Sequence, residues 1–333
     1  MNPTVGQQSK LDEMYEWTDT IKPFYILSGS AGTGKTFITK KFLDMVDDNV
    51  LLTATTHKAV GVLADASGVE CKTIHAALGL KPQYRQGKSF LKQDRARMRG
   101  NLRGIRIVVV DEASMISHEL LNFIKDDAAR NNRKYLFIGD HCQIPPINEM
   151  HSPIFDLTES EPLTEIIRQG EGSPIITLAT QIRDVIEGAT GVKLQMNAKS
   201  AIGNIVTMDS EQFLEAVYDN GFMDDDNDDR VLAWRNVTIK KYNAMICDSY
   251  DITDDFVVGL HVVFNEAFIQ QEEIVANNGQ EGNVTSVEER TNSVGLPYYR
   301  IGISGMNPTF NVIPNAYHDQ YENYFQSLKA IAI

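Results

Sequence analysis

The sequence predicts an α/β protein built on a doubly wound parallel sheet, and three observations carry that expectation. Short β-favouring runs at Phe24 to Leu27, Val50 to Thr53, Ile105 to Val110 and Tyr135 to Ile138 alternate with helical stretches at Phe37 to Met45, His57 to Ala66 and His118 to Arg130. A glycine-rich segment, Gly29-Ser30-Ala31-Gly32-Thr33-Gly34-Lys35-Thr36, joins the first run to the first helix. The other chemically distinctive residues before Pro146 also follow strands, at the end where ligands of such sheets bind.

The segment from Gly29 to Thr36 is a complete phosphate-binding loop in the strand–loop–helix context that the motif needs. Its successive N–H groups can face a polyphosphate, and Gly29, Gly32 and Gly34 remove the side chains that would block that approach. Thr33 lies between the last two glycines. Lys35 is placed to reach the β- and γ-phosphates, and Thr36 to put its hydroxyl on Mg²⁺. The helix that follows adds its N-terminal dipole. A nucleoside triphosphate, ATP by type, with Mg²⁺ is the expected ligand pair.

The remaining strand ends supply further parts. Val108-Val109-Val110-Asp111-Glu112 is a buried strand ending in two carboxylates. Asp111 suits a Mg²⁺ held through its water shell, and Glu112 suits orienting or deprotonating the attacking water. Read alone, the pair is also an acidic helix start. Gly139-Asp140-His141-Cys142-Gln143-Ile144-Pro145-Pro146 places Gln143 to bond a γ-phosphate or the attacking water. Arg168, in Leu163 to Gln169, can stabilise charge on a transferring phosphoryl group, although most single arginines are solvated surface residues. Thr53 to Ala59 and Thr73 to Leu78 offer the hydroxyls and imidazoles of Thr55, His57, Thr73 and His75 to the sugar and phosphate of a single strand. Helix capping by Thr56 and Thr73 explains the same residues equally well.

Composition limits the class. With 42% hydrophobic and 23% charged residues, the chain has the make-up of a globular protein. Cys71, Cys142 and Cys247 are far apart and in no metal or redox spacing, which points to a reducing, cytoplasmic setting. The start, Met1 to Asp12, lacks the apolar core of a signal peptide, and no apolar run reaches the length that spans a bilayer. The net charge of −14 argues against a polyanionic partner, but the charge is uneven. From Lys81 to Arg106 nine basic residues, Arg95, Arg97 and Arg99 among them, face one acid, Asp94. Screening over about 10 Å lets such a cluster hold phosphates despite distant negative charge. A solvated basic loop is the plainer reading. The run Asp224 to Asp229 reads as a solvated loop.

A second region opens near Gly170 to Pro174, with a helix at Ile175 to Glu187, a strand at Val231 to Trp234 and a helix at Ile239 to Ser249. Beyond Asp251, shorter β-like runs at Val257 to Phe264 and Tyr298 to Ile303, with turn residues at Asn277-Asn278-Gly279, suggest a small barrel-like β module.

Taken in order, these segments resemble superfamily 1B DNA helicases of the RecD/Dda type over most of the chain. Gly6-Gln7 resembles the adenine-recognising Gln motif, Gly29 to Thr36 motif I, Thr53 to Ala59 motif Ia and Thr73 to Leu80 motif Ib. Asp111 to Met115 resembles motif II, Gly139 to Pro146 motif III, and the stretch ending in Arg168 motif IV. Val231 to Asn236 and Asn277 to Gln280 are similar to later stretches of the Dda branch. The resemblance implies a P-loop NTPase with a RecA-like parallel-sheet lobe at 1–78 and 105–170 and a small inserted basic subdomain at 79–104. It further implies a partial second RecA-like lobe at 171–250 and an SH3-like β insertion at 251–333. It implies ATP between the lobes, ATP-driven 5′ to 3′ movement on single-stranded DNA, and a monomer acting at a DNA fork, away from membranes, with a single-strand binding or replication protein as a partner. The insert takes the part of a duplex-splitting β-hairpin pin, with Tyr84 and Phe90 as wedges and the arginines on the backbone. The family's Ser/Thr-x-x-x-x-Gln-Gly motif V and arginine-bearing motif VI do not follow the β insertion here, since the last arginine is Arg300. A C-terminally shortened chain is therefore expected. The other readings are a nucleotide-gated single-strand binding module without unwinding activity and a small-molecule P-loop kinase, which explains neither Gln143 nor the basic insert.

Overall fold

The structure, a computed structural model, describes residues 2–30, 32–46, 49–85, 88–158, 161–165, 173–200, 203–219, 229–264, 268–270, 273–276, 279–307 and 309–322. They divide into two compact units, Met1–Val206 and Thr207–Ile333.

In the first unit the elements run α1 (Val5–Thr18), β1 (Phe24–Ser28), α2 (Lys35–Met45), β2 (Val50–Ala54), α3 (His57–Ser67), β3 (Lys72–Thr73) and α4 (Ile74–Ala77). A hairpin, β4 (Leu80–Arg85) and β5 (Lys88–Gln93), precedes α5 (Arg95–Asn101), β6 (Ile107–Asp111), α6 (His118–Asn131) and β7 (Lys134–Gly139). The unit closes with α7 (Pro174–Ile186) and a short hairpin, β8 (Ala198–Ser200) and β9 (Gly203–Ile205). Five strands form one sheet in the order β1-β7-β6-β2-β3, every pair parallel.

Period-two alternation builds a core on each face of this sheet. On one face Val108, Val110, Tyr135 and Phe137 pack with Ile74 of α4, Met98 of α5 and Leu120, Leu121 and Ile124 of α6. On the other, Ile107, Val109, Leu136 and Ile138 meet Leu11, Met14 and Trp17 of α1, Ile38 and Phe42 of α2 and Leu63 of α3. Helix α1 completes that second layer. Its start is fixed by a capping box in which Thr4 Oγ1 accepts from Gln7 N and Gln7 Oε1 accepts from Thr4 N.

Buried charge pins the edges of the layers. Asp127 on α6, 2% exposed, accepts from Arg133 Nε at 2.8 Å, Tyr135 Oη at 2.6 Å and Asn131 Nδ2 at 2.8 Å. The same guanidinium donates to the carbonyls of Leu102 and Ile105, so the chain leaving α5 is tied to α6 and β7. Lys134 donates to the carbonyls of Trp17, Thr20 and Lys22 at the end of α1.

The second unit contains α8 (Ser210–Tyr218), α9 (Asn236–Ser249) and six strands, β10 (His261–Val263), β11 (Phe268–Gln270), β12 (Glu273–Ala276), β13 (Glu281–Thr291), β14 (Pro297–Ile303) and β15 (Phe310–Val312). Strands β10, β13, β14 and β15 form an antiparallel sheet around Ala276, Ile301, Ile303 and Phe310. Two sequence expectations fail here. Val231 to Trp234 is irregular rather than a strand, with Leu232 and Trp234 largely exposed; a β-favouring run needs a neighbour and a buried face, and this one has no buried face. The run at Val257 to Phe264 yields only the three-residue β10. Asn277 and Asn278 lie outside the described residues. Within the first unit, Arg183 on α7 ion-pairs with Asp140 beyond β7.

Removing one partner of the buried Asp127–Arg133 pair leaves the other uncompensated. Asp127→Ala is expected to cost about 3–5 kcal/mol, and Tyr135→Phe only about 1 kcal/mol, read from denaturant midpoints. An Asp127→Ala loss no larger than that of Tyr135→Phe would contradict this account.

Candidate nucleotide and nucleic-acid site

The sheet order aligns the functional segments along one edge. At the carboxyl ends stand, in turn, the loop Gly29 to Thr36 after β1, Asp140 after β7, Asp111 and Glu112 at β6, Thr55 after β2, and His75 beyond β3.

The phosphate-type loop has φ of 84° at Gly32 and 82° at Gly34, angles that side chains disfavour. Gly34 is the N-cap of α2 and brings no side chain to it, so the first N–H groups of the helix remain available to an anion. Thr33 is buried and its Oγ1 donates to Ser30 O at 2.9 Å. Gln7 braces the loop from α1, its Nε2 donating to Thr33 O at 3.0 Å. Gly29 N bonds Gly139 O, and Leu163 N bonds Ser28 O, so the loop is held on both sides.

Lys35 Nζ donates to the carbonyls of Gly29 at 2.8 Å and Ser30 at 3.0 Å. Burial lowers the pKa of its ammonium and Arg183 adds to the lowering, while Asp140, Asp111 and Glu112 oppose it. Burial raises Asp111, against the Glu112 N–H and Lys35. Burial and then Asp111 raise Glu112, with Asp140 adding and Lys35 opposing. With Asp140 paired to Arg183, Asp111 and Glu112 face Lys35 and leave carboxylate oxygens in excess, a donor set that fits Mg²⁺. Thr36 is exposed on the first turn of α2.

Glu112 adopts φ 52°, left-handed for a residue with a side chain. Its N–H donates to Asp111 Oδ1 at 2.9 Å, and its carbonyl accepts from Thr55 Oγ1 at 3.1 Å and from Met115 N. Thr55 N also bonds Asp111 O. The Thr55 hydroxyl thus spans from the second strand end to the acidic pair.

Among the polymer-facing residues, His57 opens α3, and Thr56 caps that helix. Thr73 is buried and caps α4 through Ala76 N, the capping role weighed for it above. Burial lowers the His75 pKa, Glu119 opposing and His57 adding. Phe90 is exposed on β5, and Tyr84 pairs with Ser89 across the hairpin. Arg97 and Arg99 are exposed on α5, and Arg95 lies 3.9 Å from Asp126. Gln143 is half-buried, its N–H on Asp140 O at 3.0 Å. Arg168 lies outside the described residues.

Sequence reasoning assigned no role to Asp140 or Arg183. Asp140, 3% exposed, ion-pairs with Arg183 and accepts from Cys142 N at 3.0 Å. No local pattern announces a pair 43 residues apart.

A carboxylate whose folded pKa is raised lowers stability at neutral pH, and that cost fades as pH falls through the raised value. Glu112→Gln is therefore expected to raise thermal stability without nucleotide or Mg²⁺, by up to about 1 kcal/mol once screening is allowed for. The difference from wild type should be largest at neutral pH and shrink in acid. A destabilised variant, or a gap that widens in acid, would contradict this.

A family model described as AAA domain matches residues 4–204, more than half of the chain. The chain is 27% identical over 306 residues to the ATP-dependent DNA helicase dda of Enterobacteria phage T4, covering 86% of this chain and 68% of that protein. It is 31% identical over 160 residues to the ATP-dependent RecD2 DNA helicase of Deinococcus radiodurans, covering 46% of this chain and 21% of that one. Its fold is similar to that of Pif1 helicase from Bacteroides, solved with ADP-AlF3 and ssDNA, with a TM-score of 0.56 at 18% identity over 93% of this chain and 74% of that one. The chain belongs to the AAA-domain family and is a P-loop protein of the superfamily 1B Dda/RecD/Pif1 helicase type.

Proposed function

We propose that the chain is an ATP-dependent DNA helicase that moves 5′ to 3′ on single-stranded DNA. One observation carries the reading furthest: nucleotide-type and polymer-type residues share a single sheet edge, and Thr55 joins them through its bond to the Glu112 carbonyl. The names of the T4 and Deinococcus relatives support the same reading.

In this proposal the loop from Gly29 to Thr36, with Gln7 bracing it, cradles ATP, and Lys35 leaves its own carbonyls for the β- and γ-phosphates. Thr36 and Asp111 hold Mg²⁺, which when bound neutralises charge developing on the phosphates. Glu112 orients the attacking water and accepts its proton. Gln143 senses the γ-phosphate from the turn fixed by Asp140, and Arg168 stabilises the transferring group. Thr55, His57, Thr73 and His75 line the path of the single strand. The hairpin and helix at 79–104 form the pin, with Phe90 and Tyr84 against the fork and Arg95, Arg97 and Arg99 on phosphates. The stretch from 171 to 250 is assigned to a second RecA-like lobe and 251–333 to an SH3-like insertion. Among the described residues no helix is long and apolar enough to cross a membrane, and we assign the protein to the cytoplasm, acting as a monomer beside a single-strand binding or replication protein.

Adding single-stranded DNA to the chain should increase ATP hydrolysis. Lys35→Ala and Glu112→Gln should each lower the stimulated rate by roughly a hundredfold or more. An equal rate with and without DNA refutes the motor. Oligonucleotide binding that depends on ATP but brings no turnover assigns the chain to a nucleotide-gated binding module instead.

A further inference from the structure

We propose that His141, Cys142 and Glu187 form a binding site for a soft divalent cation of the Zn²⁺ class, in the turn after β7. His141 Nε2 lies 3.1 Å from Glu187 Oε1, and Cys142 Sγ lies 3.8 Å from the same oxygen. The donor atoms of Asp140, His141 and Cys142 also lie within 4.8 Å of one another. Bonds of about 2.0–2.3 Å at tetrahedral angles put neighbouring donors roughly 3.3–3.6 Å apart; the two separations from Glu187, 3.1 and 3.8 Å, bracket that spacing, and the His141 and Cys142 donors, within 4.8 Å of one another, close on a metal by side-chain rotation.

The charge balance sets how many donors take part. Asp140 is engaged by Arg183 and by Cys142 N, which leaves one imidazole, one thiol and one carboxylate, with water in the fourth position. Imidazole with thiolate selects Zn²⁺ over Mg²⁺, which prefers oxygen, so the site differs in chemistry from the one at Asp111. His141 stands edge-on to Phe155, ring centroids 6.0 Å apart, which orients its ring. The His141 and Glu187 side chains are 37% and 44% exposed, so the cation can arrive from solvent.

On binding, the cation replaces the His141–Glu187 hydrogen bond. Nε2, Sγ and the carboxylate oxygen each donate an electron pair, the thiol proton passes to solvent, and nothing is oxidised or reduced. Because Arg183 is 3.5 Å from Glu187 Oε1, its charge works against the cation and makes the site weaker than a closed four-ligand one. The bound metal would fasten the turn carrying Gln143 to the end of α7. Slowed ATP turnover is the consequence, and that part alone rests on the proposed function.

Co²⁺ titration of the whole chain tests the site without reference to turnover. One Co²⁺ should bind with a thiolate-to-cobalt charge-transfer band. The band should vanish in Cys142→Ser and persist in Cys71→Ser and Cys247→Ser, while His141→Ala and Glu187→Gln weaken binding by roughly tenfold or more. Circular dichroism of each variant shows that the fold is kept. A band unchanged in Cys142→Ser, no band in the folded wild type, or full affinity in Glu187→Gln overturns the site. Zn²⁺ should also slow ATP hydrolysis in the wild type, reversibly on chelation, and leave Cys142→Ser unaffected. Equal turnover with the cation bound overturns the regulatory half, whereas absent turnover at any Zn²⁺ level counts against the helicase reading and not the site.

Discussion

An ammonium taken out of water must be met by negative charge, and at Lys35 that charge comes from three carboxylates set at two strand ends. Asp140 follows the neighbouring strand β7, and Asp111 and Glu112 end β6, one strand further on. Their positions depend on the sheet order, which depends in turn on two apolar faces of alternating side chains. Each carboxylate at β6 is itself raised by burial, so the cluster holds unfavourable charge that a bound cation relieves. Stability is given up locally at the site proposed to hold divalent metal and phosphate together.

The left-handed backbone at Glu112 belongs to the same economy of strain. Such an angle costs roughly 1 kcal/mol for a residue with a side chain and persists because its surroundings fix it. Here the fixing groups are the Asp111 carboxylate, Met115 N and the Thr55 hydroxyl. The last comes from the segment proposed to touch a nucleic-acid strand, and the Thr55 N–H also bonds Asp111 O, so two hydrogen bonds tie that segment to the acidic pair.

Much of this was legible in the sequence because it is local. The loop at Gly29 to Thr36, the strand ending in Asp111-Glu112 and the alternation around them are written in consecutive residues. Helix α1 was missed, because its polar composition concealed the capping box of Thr4 and Gln7 and the helical spacing of Leu11, Met14 and Trp17. Contacts made by distant residues were not readable. Asp140 with Arg183, Gln7 with Thr33 and Lys134 with the end of α1 exist only once the layers pack. The failed strand at Val231 to Trp234 shows the opposite error, local propensity with no buried face to enforce it.

The central claim is that the aligned strand ends form one magnesium–nucleotide site. Calorimetric titration of the chain with a non-hydrolysable ATP analogue tests it most directly, in the presence and absence of Mg²⁺. The account predicts binding that needs Mg²⁺, is weakened by roughly a hundredfold in Lys35→Ala, and loses its Mg²⁺ dependence in Asp111→Asn. Equal affinity for the analogue in wild type and Lys35→Ala would contradict it.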